Sequence, residues 1–261
     1  ASRGLGDVYK RQLLFSLLPF LNSYAEENKA ITIPQLSFSS PTSGYRLEIP
    51  ETILGDRNGG ETDRSGKSFT ISAWINMDQY TNNSGSKGNV IMGHGPRVHM
   101  NYNGSLVLAT TETGVLKIIS GASNKVTSVL ETSVDLDTWT YLTLVYDNSD
   151  FSVSVYKDGT LVATKNNTQQ LELFGDDPCI FFVGGAGFSG FCDEFQFFDR
   201  ALNSNDVKQA YSNPQNISGL TVWYDFNTIE EGSSFTNKVT ESDQVNTKAT
   251  FCLLYTSDAA D

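Results

Sequence analysis

An all-β chain folded as a two-sheet antiparallel sandwich is predicted by three observations. Apolar residues alternate with polar ones over short runs, turn dipeptides punctuate those runs, and a single segment reads as helix. Composition agrees: of 261 residues, 39% are hydrophobic and 18% charged, too apolar for a disordered chain, and 3 Cys are too few for a disulfide scaffold. The 18 Lys and Arg against 30 Asp and Glu give a net charge of −12. With no basic block, the chain has none of the clustered cations that nucleic acids or anionic membrane surfaces require. No apolar run reaches the roughly 18 residues of a helical membrane span.

The elements follow in chain order. Residues 1–12 share no pattern with the body and resemble translated sequencing-adapter read-through, as do residues 252–261, so the chain is expected to be a fragment; natural tails are the alternative. Leu13 to Leu21 is an apolar run of signal-peptide length, ending at Asn22-Ser23-Tyr24-Ala25 in the small-x-small pattern of a cleavage site. Residues 13–25 are therefore read as a remnant signal peptide, with a mature chain from near Glu26 and a secreted or cell-envelope location. A short buried strand or helix is the alternative, which Pro19 disfavours.

Alternation then marks the strands: Tyr45, Leu47 and Ile49; Phe69, Ile71, Ala73, Ile75 and Met77; Leu142, Leu144 and Tyr146; Phe151, Val153 and Val155. Asn103-Gly104 is expected to join Val98–Tyr102 to Ser105–Ala109, and Asp158-Gly159 to join Val153–Tyr156 to Thr160–Ala163, because both dipeptides accept the positive φ of a tight hairpin. Ser204–Tyr211 reads as a helix capped by Ser204 or Asn203, with Val207 and Tyr211 on one face.

Four segments in order carry a family resemblance. Ser68-Phe69-Thr70-Ile71-Ser72-Ala73-Trp74-Ile75 resembles the first core strand of laminin-G-like, concanavalin A-like jelly rolls. Asp137-Thr138-Trp139-Thr140-Tyr141-Leu142-Thr143-Leu144-Val145-Tyr146-Asp147 is similar to the family's W-x-H-V-A-x-V-Y-D strand, with Tyr141 where His is usual. Val155-Tyr156-Lys157-Asp158-Gly159 is similar to its LYxDG hairpin, and Gly190 through Leu202 to its closing strand and turn. The resemblance covers roughly residues 31–213 and implies a two-sheet jelly roll that serves mostly as a binding module of secreted proteins. Residues 217–251, opening on Gly219-Leu220-Thr221-Val222-Trp223-Tyr224-Asp225-Phe226, read either as the start of a second, truncated module or as a closing strand of the first.

The family also contains glucanases, whose E-x-D-x-x-E strand aims two carboxylates into one groove. That spacing is absent here. The nearest acidic pairs are Glu172 with Asp176 and Asp193 with Glu194, and adjacent strand residues face opposite sides unless a bulge intervenes. Asp193 is expected either to help hold a structural Ca²⁺, which the resemblance implies, or, with Glu194 as the alternative, to pair with Arg200. His94 and His99 are too few for a zinc site, and they fall with Tyr102 in a stretch expected to form a rim loop. Parity places Trp74 beside Ser72 and Asn76, and Trp139 beside Tyr141 and Thr143, opposite the aliphatic sets. The two tryptophans, with Tyr141, are expected either to stack on sugar rings from an outer sheet face or to form a second small core. Cys179 and Cys192 flank a glycine-rich loop and are expected either to bridge across a hairpin or to remain buried thiols.

These residues point to a non-catalytic module that binds a glycan or a surface protein within a longer chain, with possible sugar contacts at Trp74, Trp139, Tyr141, His94, His99 and Tyr102. A glucan hydrolase of the same fold and a structural spacer are the alternatives.

Overall fold

The computed structural model describes residues 30–33, 46–54, 66–81, 88–96, 105–120, 126–166, 170–171, 179–185, 187–227, 229–230, 234–235, 237–239 and 249–251. Its strands are β1 (Ile31–Ile33), β2 (Arg46–Pro50), β3 (Phe69–Met77), β4 (Asn89–Pro96), β5 (Leu106–Thr110), β6 (Val115–Ser120), β7 (Val126–Ser133) and β8 (Thr140–Asp147). They continue with β9 (Ser152–Lys157), β10 (Thr160–Asn166), β11 (Cys179–Gly184), β12 (Gly190–Phe198), β13 (Leu220–Tyr224), β14 (Ile229–Glu230), β15 (Ser234–Phe235) and β16 (Ala249–Phe251). A helix, α1 (Ser204–Ser212), follows β12. The expected leader at 13–25 and both foreign-looking ends, apart from Ala249–Phe251 beside the second, lie outside the described residues.

Among the described residues these strands form two antiparallel sheets. The first runs β1-β12-β3-β8-β9-β10, with β13 also on β12; the second runs β14-β15-β16-β2-β11-β4-β5-β6-β7. The predicted alternation is what lets them face each other. Phe69, Ile71, Ala73, Ile75 and Met77 on β3, Leu142, Leu144 and Tyr146 on β8, and Val153 and Val155 on β9 are all fully buried in one core cluster. Leu47, Ile49, Leu106, Leu108, Phe181 and Val183 meet them from the second sheet. Phe181 bridges the layers, its ring centroid 4.9 Å from that of Phe69 and 4.5 Å from that of Phe197.

The Asp158-Gly159 hairpin forms as expected between β9 and β10, with φ of 51° and 76° at the two turn residues. Phe151 is not part of the β9 alternation, because it takes a φ of 58° in the preceding turn. The other hairpin is differently built. The partner of β5 is β4, with His94 opposite Leu106, and not Val98–Tyr102; residues 97–104, including Asn103-Gly104, lie outside the described residues.

Two strands from residues 217–251, β13 and β16, join the sheets already described. β13 hydrogen-bonds to β12, placing Tyr224 opposite Phe195 and Val222 opposite Phe197, and Val222, Tyr224 and Phe226 enter the main core. β16 likewise pairs with β2.

Helix α1 lies over the outer face of the first sheet. Asn203 caps it, its side chain accepting from the Asn205 and Asp206 N–H groups while the Asp206 carboxylate accepts from the Asn203 N–H. Val207 and Ala210 then pack with Val145, Tyr156, Phe198, Leu202 and Ile217 in a second cluster. Arg200 pins the approach to the helix, donating to the carbonyl of Ser218 and pairing with Asp206 at 2.8 Å. The ion pair expected between Arg200 and Asp193 or Glu194 is therefore replaced by one with Asp206, which the capping box already holds in place. Replacing Asn203 with Ala should lower unfolding stability by about 1 kcal/mol, read by chemical denaturation, with β-sheet circular dichroism retained.

Candidate functional site

The outer face of the first sheet brings together four of the predicted site residues, Trp74, Trp139, Tyr141 and Asp193. Across the strands, Asp193 on β12 stands opposite Trp74 on β3, which stands opposite Tyr141 on β8. One row nearer the sandwich end, Phe191 stands opposite Asn76, and Trp139 follows one step beyond the Ile75–Thr140 pair. In the other direction lie Gln196, Ser72 and Thr143, and then the cluster under α1.

The two rows of aromatics differ in exposure. Trp74 is half-buried, its ring centroid 5.5 Å from that of Tyr141 and 5.4 Å from that of Tyr211 on α1. Tyr141 is fully buried beneath them and donates its hydroxyl proton to Gln196 Oε1 at 2.8 Å, while Ser72 bonds Thr143 at 3.0 Å. Burial pushes the Tyr141 phenol well above its usual pKa. Beyond this stack, half-buried Trp139 leans on Phe191 at 6.5 Å, and Phe191 is 38% exposed. Both tryptophans thus lie on the outer face, where α1 roofs one half and leaves the row of Trp139, Asn76 and Phe191 partly open. Phe191 and Tyr211 were not singled out in the sequence. The signal for Phe191 was its parity with Asp193; the contact of Tyr211 with Trp74 depends on where the helix docks.

The remaining candidates fall elsewhere. His94 is not on a rim loop. It sits within β4, fully buried, its ring 4.7 Å from Phe181 and 6.2 Å from Phe69 in the core between the sheets. His99, Tyr102, Glu172 and Asp176 lie outside the described residues. Cys192 is a free thiol, fully buried, with burial the main cause that raises its pKa. The bridge expected between Cys179 and Cys192 does not form, because no hairpin joins their strands: β11 belongs to the second sheet and β12 to the first.

Between Asp193 and Gln196 the register of β12 on β3 shifts, and Glu194 takes a φ of 50°. This β-bulge changes the expected geometry of the Asp193–Glu194 pair, since the two no longer alternate. Asp193, buried on the outer face, accepts the Glu194 N–H at 2.8 Å, while Glu194 reaches sideways to accept the indole N–H of Trp223 on β13. Burial raises the Glu194 pKa, and the nearby Asp225 raises it further against the opposing pull of Trp223 and Lys238. Among the described residues no three His, Cys, Asp or Glu side chains are grouped to hold a metal.

A family model described as the concanavalin A-like lectin/glucanases superfamily matches residues 57–208. No curated protein matches the chain in sequence. Among solved structures, a candidate carbohydrate-binding protein of Bacteroides ovatus is similar at a TM-score of 0.54 and 19% identity, over 85% of this chain and 58% of that one. A heptameric SAP-like pentraxin from Limulus polyphemus has a TM-score of 0.48 and 15% identity, over 72% and 84% of the two chains. The CBM40 of a Ruminococcus gnavus IT-sialidase, bound to α2,3-sialyllactose, has a TM-score of 0.48 and 12% identity, over 70% and 96%.

The Glu194 carboxyl supplies a test of the bulge. Its raised folded-state pKa favours the neutral form, so its stabilising contribution is full below the ordinary carboxylate range and is lost as pH rises through the folded value. Glu194→Gln keeps an acceptor for the indole without the charge. It should melt higher than the parent protein above that window and equal to it below, as measured by thermal denaturation across pH.

Proposed function

The chain belongs to the concanavalin A-like lectin/glucanase superfamily, and from that membership we propose that it is a non-catalytic carbohydrate-binding module that uses the open half of its outer aromatic face. The observation that carries the reading is the row of Trp139, Asn76 and Phe191, with the Trp74–Tyr211 stack one row away. Pyranose rings present C–H faces that pack on indole and phenyl rings, and an amide between two such rings can bond the hydroxyls at their rim. Successive rows on one strand face are about 7 Å apart, a spacing that suits neighbouring units of one glycan chain. The fold is shared with the Bacteroides ovatus candidate carbohydrate-binding protein, which agrees with this reading.

The module belongs, on this reading, to a longer secreted or cell-envelope protein. That placement rests on the leader-like run at 13–25. Among the described residues, no helix is long and apolar enough to cross a membrane.

A hydrolase is the second reading, and the bulge is what favours it, because it removes the alternation that would keep Asp193 and Glu194 on opposite sides. Against it, Glu194 is committed to Trp223 and Asp193 to the backbone of Glu194. Reducing-sugar release from β-glucans that disappears in Glu194→Gln would establish the hydrolase and displace the binding module.

Affinity electrophoresis through a panel of soluble polysaccharides tests the proposal. Trp139→Ala and Phe191→Ala should each weaken retardation about tenfold, the order expected for losing roughly 1–2 kcal/mol of aromatic contact, while melting temperature changes little because both side chains are partly exposed. Retardation unchanged in both variants would remove this face from the reading.

A further inference from the structure

We infer that this face binds the end of a glycan chain rather than its interior, with Tyr211 on α1 as the stop, an inference that rests on the carbohydrate-binding reading and names the part of the ligand the site takes. Exposure falls in one direction along the strands. On β12, Phe191 is 38% exposed, Asp193 6%, Gln196 2% and Phe198 0%. On β3, Asn76 and Trp74 are half-buried, and Ser72 and Thr70 are fully buried. Next to them Trp139 is half-buried, and Tyr141, Thr143 and Val145 of β8 are buried. All three strands therefore close toward α1. In the other direction Asp78, just past β3, and Asp137 and Thr138, just before β8, are exposed.

The closed end is anchored. Tyr211, in the last turn of α1, lies across the second row, its ring centroid 5.4 Å from that of Trp74 and 5.5 Å from that of Tyr141. Behind it Val207 and Ala210 are packed with Val145 and Phe198. Thr70 ties the chain entering the helix to β3, donating to the Arg200 carbonyl at 2.9 Å and accepting the Leu202 N–H at 3.1 Å. The β9–β10 turn backs the same ring, since a Cβ on Gly159 would stand 3.4 Å from Tyr211 Cβ.

The direction of the ligand follows from the rings. Trp139 and Phe191 have β3 between their strands, yet their centroids are 6.5 Å apart and their planes tilted by 47°. They lean together into one platform, a station for one sugar ring. Trp74 lies one row along the strands, about 7 Å away, so a second ring runs along the strands onto its accessible part. A third ring in that line meets Tyr211. The chain can continue only from the first ring toward the sandwich end. The interior of a glycan must leave its site at both ends and has no exit past Tyr211, whereas a chain end needs none.

A chain-length series tests this. Mixed-linkage β-glucan, xylan, galactomannan and pullulan are run as affinity gels, and each that retards the protein is cut by its endo-acting hydrolase into oligosaccharides of one to six units. By isothermal titration, affinity per mole should level off by two units, staying within threefold from two units to six. At equal mass the digest should compete with the gel polysaccharide more strongly than the intact chain does, in proportion to the ends created. Tyr211→Ala, its fold checked by circular dichroism, should move the levelling-off to three units or more; if that variant does not fold, the length series on the parent protein decides alone. A rise of more than threefold between two units and six overturns the inference and leaves the carbohydrate-binding reading standing. So does an intact chain that competes as well as its digest, or a retarding polysaccharide whose oligosaccharides do not bind. A folded Tyr211→Ala protein with an unmoved plateau overturns the assignment of the stop to α1, and with it the inference. Absence of retardation by all four polysaccharides removes the binding reading and the inference together.

Discussion

One extra residue in β12 holds the two-faced pattern of the first sheet together. Cys192, Phe195 and Phe197 all point into the core, a spacing that strict alternation cannot produce. Without the bulge at Glu194, alternation from Cys192 would send Gln196 and Phe198 inward and expose Phe195 and Phe197 to the outer face. With it, the register on β3 resumes at Gln196, and Gln196 lies where Tyr141 can donate to it. The cost of the bulge is a non-glycine residue in the left-handed region, a conformation that persists only where its surroundings fix it. Here the indole of Trp223 and the carboxylate of Asp193 supply that fixation, one bonding the Glu194 side chain and the other its N–H.

The outer face inherits its division from the same strand. Phe198, on the far side of the bulge, joins Val145 and Tyr156 as apolar ground for α1. Phe191, on the near side, lies beyond the reach of that helix and stays partly exposed beside Trp139. The helix could not extend its cover without lengthening: it is nine residues long and ends at Ser212 before Pro214. Tyr211 in its last turn packs against Trp74 and marks the limit of the roof.

Close approach of backbones reinforces the arrangement at the sandwich end. Gly190, with a φ of 145°, begins β12 where a side chain would collide with the Asn76 carbonyl, 2.0 Å from an added Cβ. The crossing from β11 in the second sheet to β12 in the first therefore depends on residues without side chains at this point, and it sets Phe191 directly opposite Asn76. At the other side, the helix lies so close to the β9–β10 turn that a Cβ on Gly159 would stand 3.4 Å from Tyr211 Cβ.

Much of this was legible in the sequence because strand alternation is local: Ile71, Ala73 and Ile75 on one side and Trp74 on the other follow from a period of two, and Asp158-Gly159 encodes its own turn. The Asn203 cap was equally local. What failed were statements that depend on who pairs with whom. Gly95-Pro96 beside His94 reads locally as a loop, yet β4 runs through it and the imidazole packs on Phe181 and Phe69 in the core, a tertiary contact that outweighs the local signal. Cys179 and Cys192 are near in sequence and belong to different sheets, a consequence of the crossover that spacing does not encode. The bulge at Glu194 was invisible for the same reason: Cys192-Asp193-Glu194-Phe195-Gln196-Phe197 carries one residue too many for its pattern, and only pairing with β3 and β13 decides which residue is set aside. Chain composition and alternation determined a two-sheet sandwich with aromatics on an outer face; tertiary packing decided which of those aromatics the helix covers, because coverage depends on contacts between residues far apart in the chain.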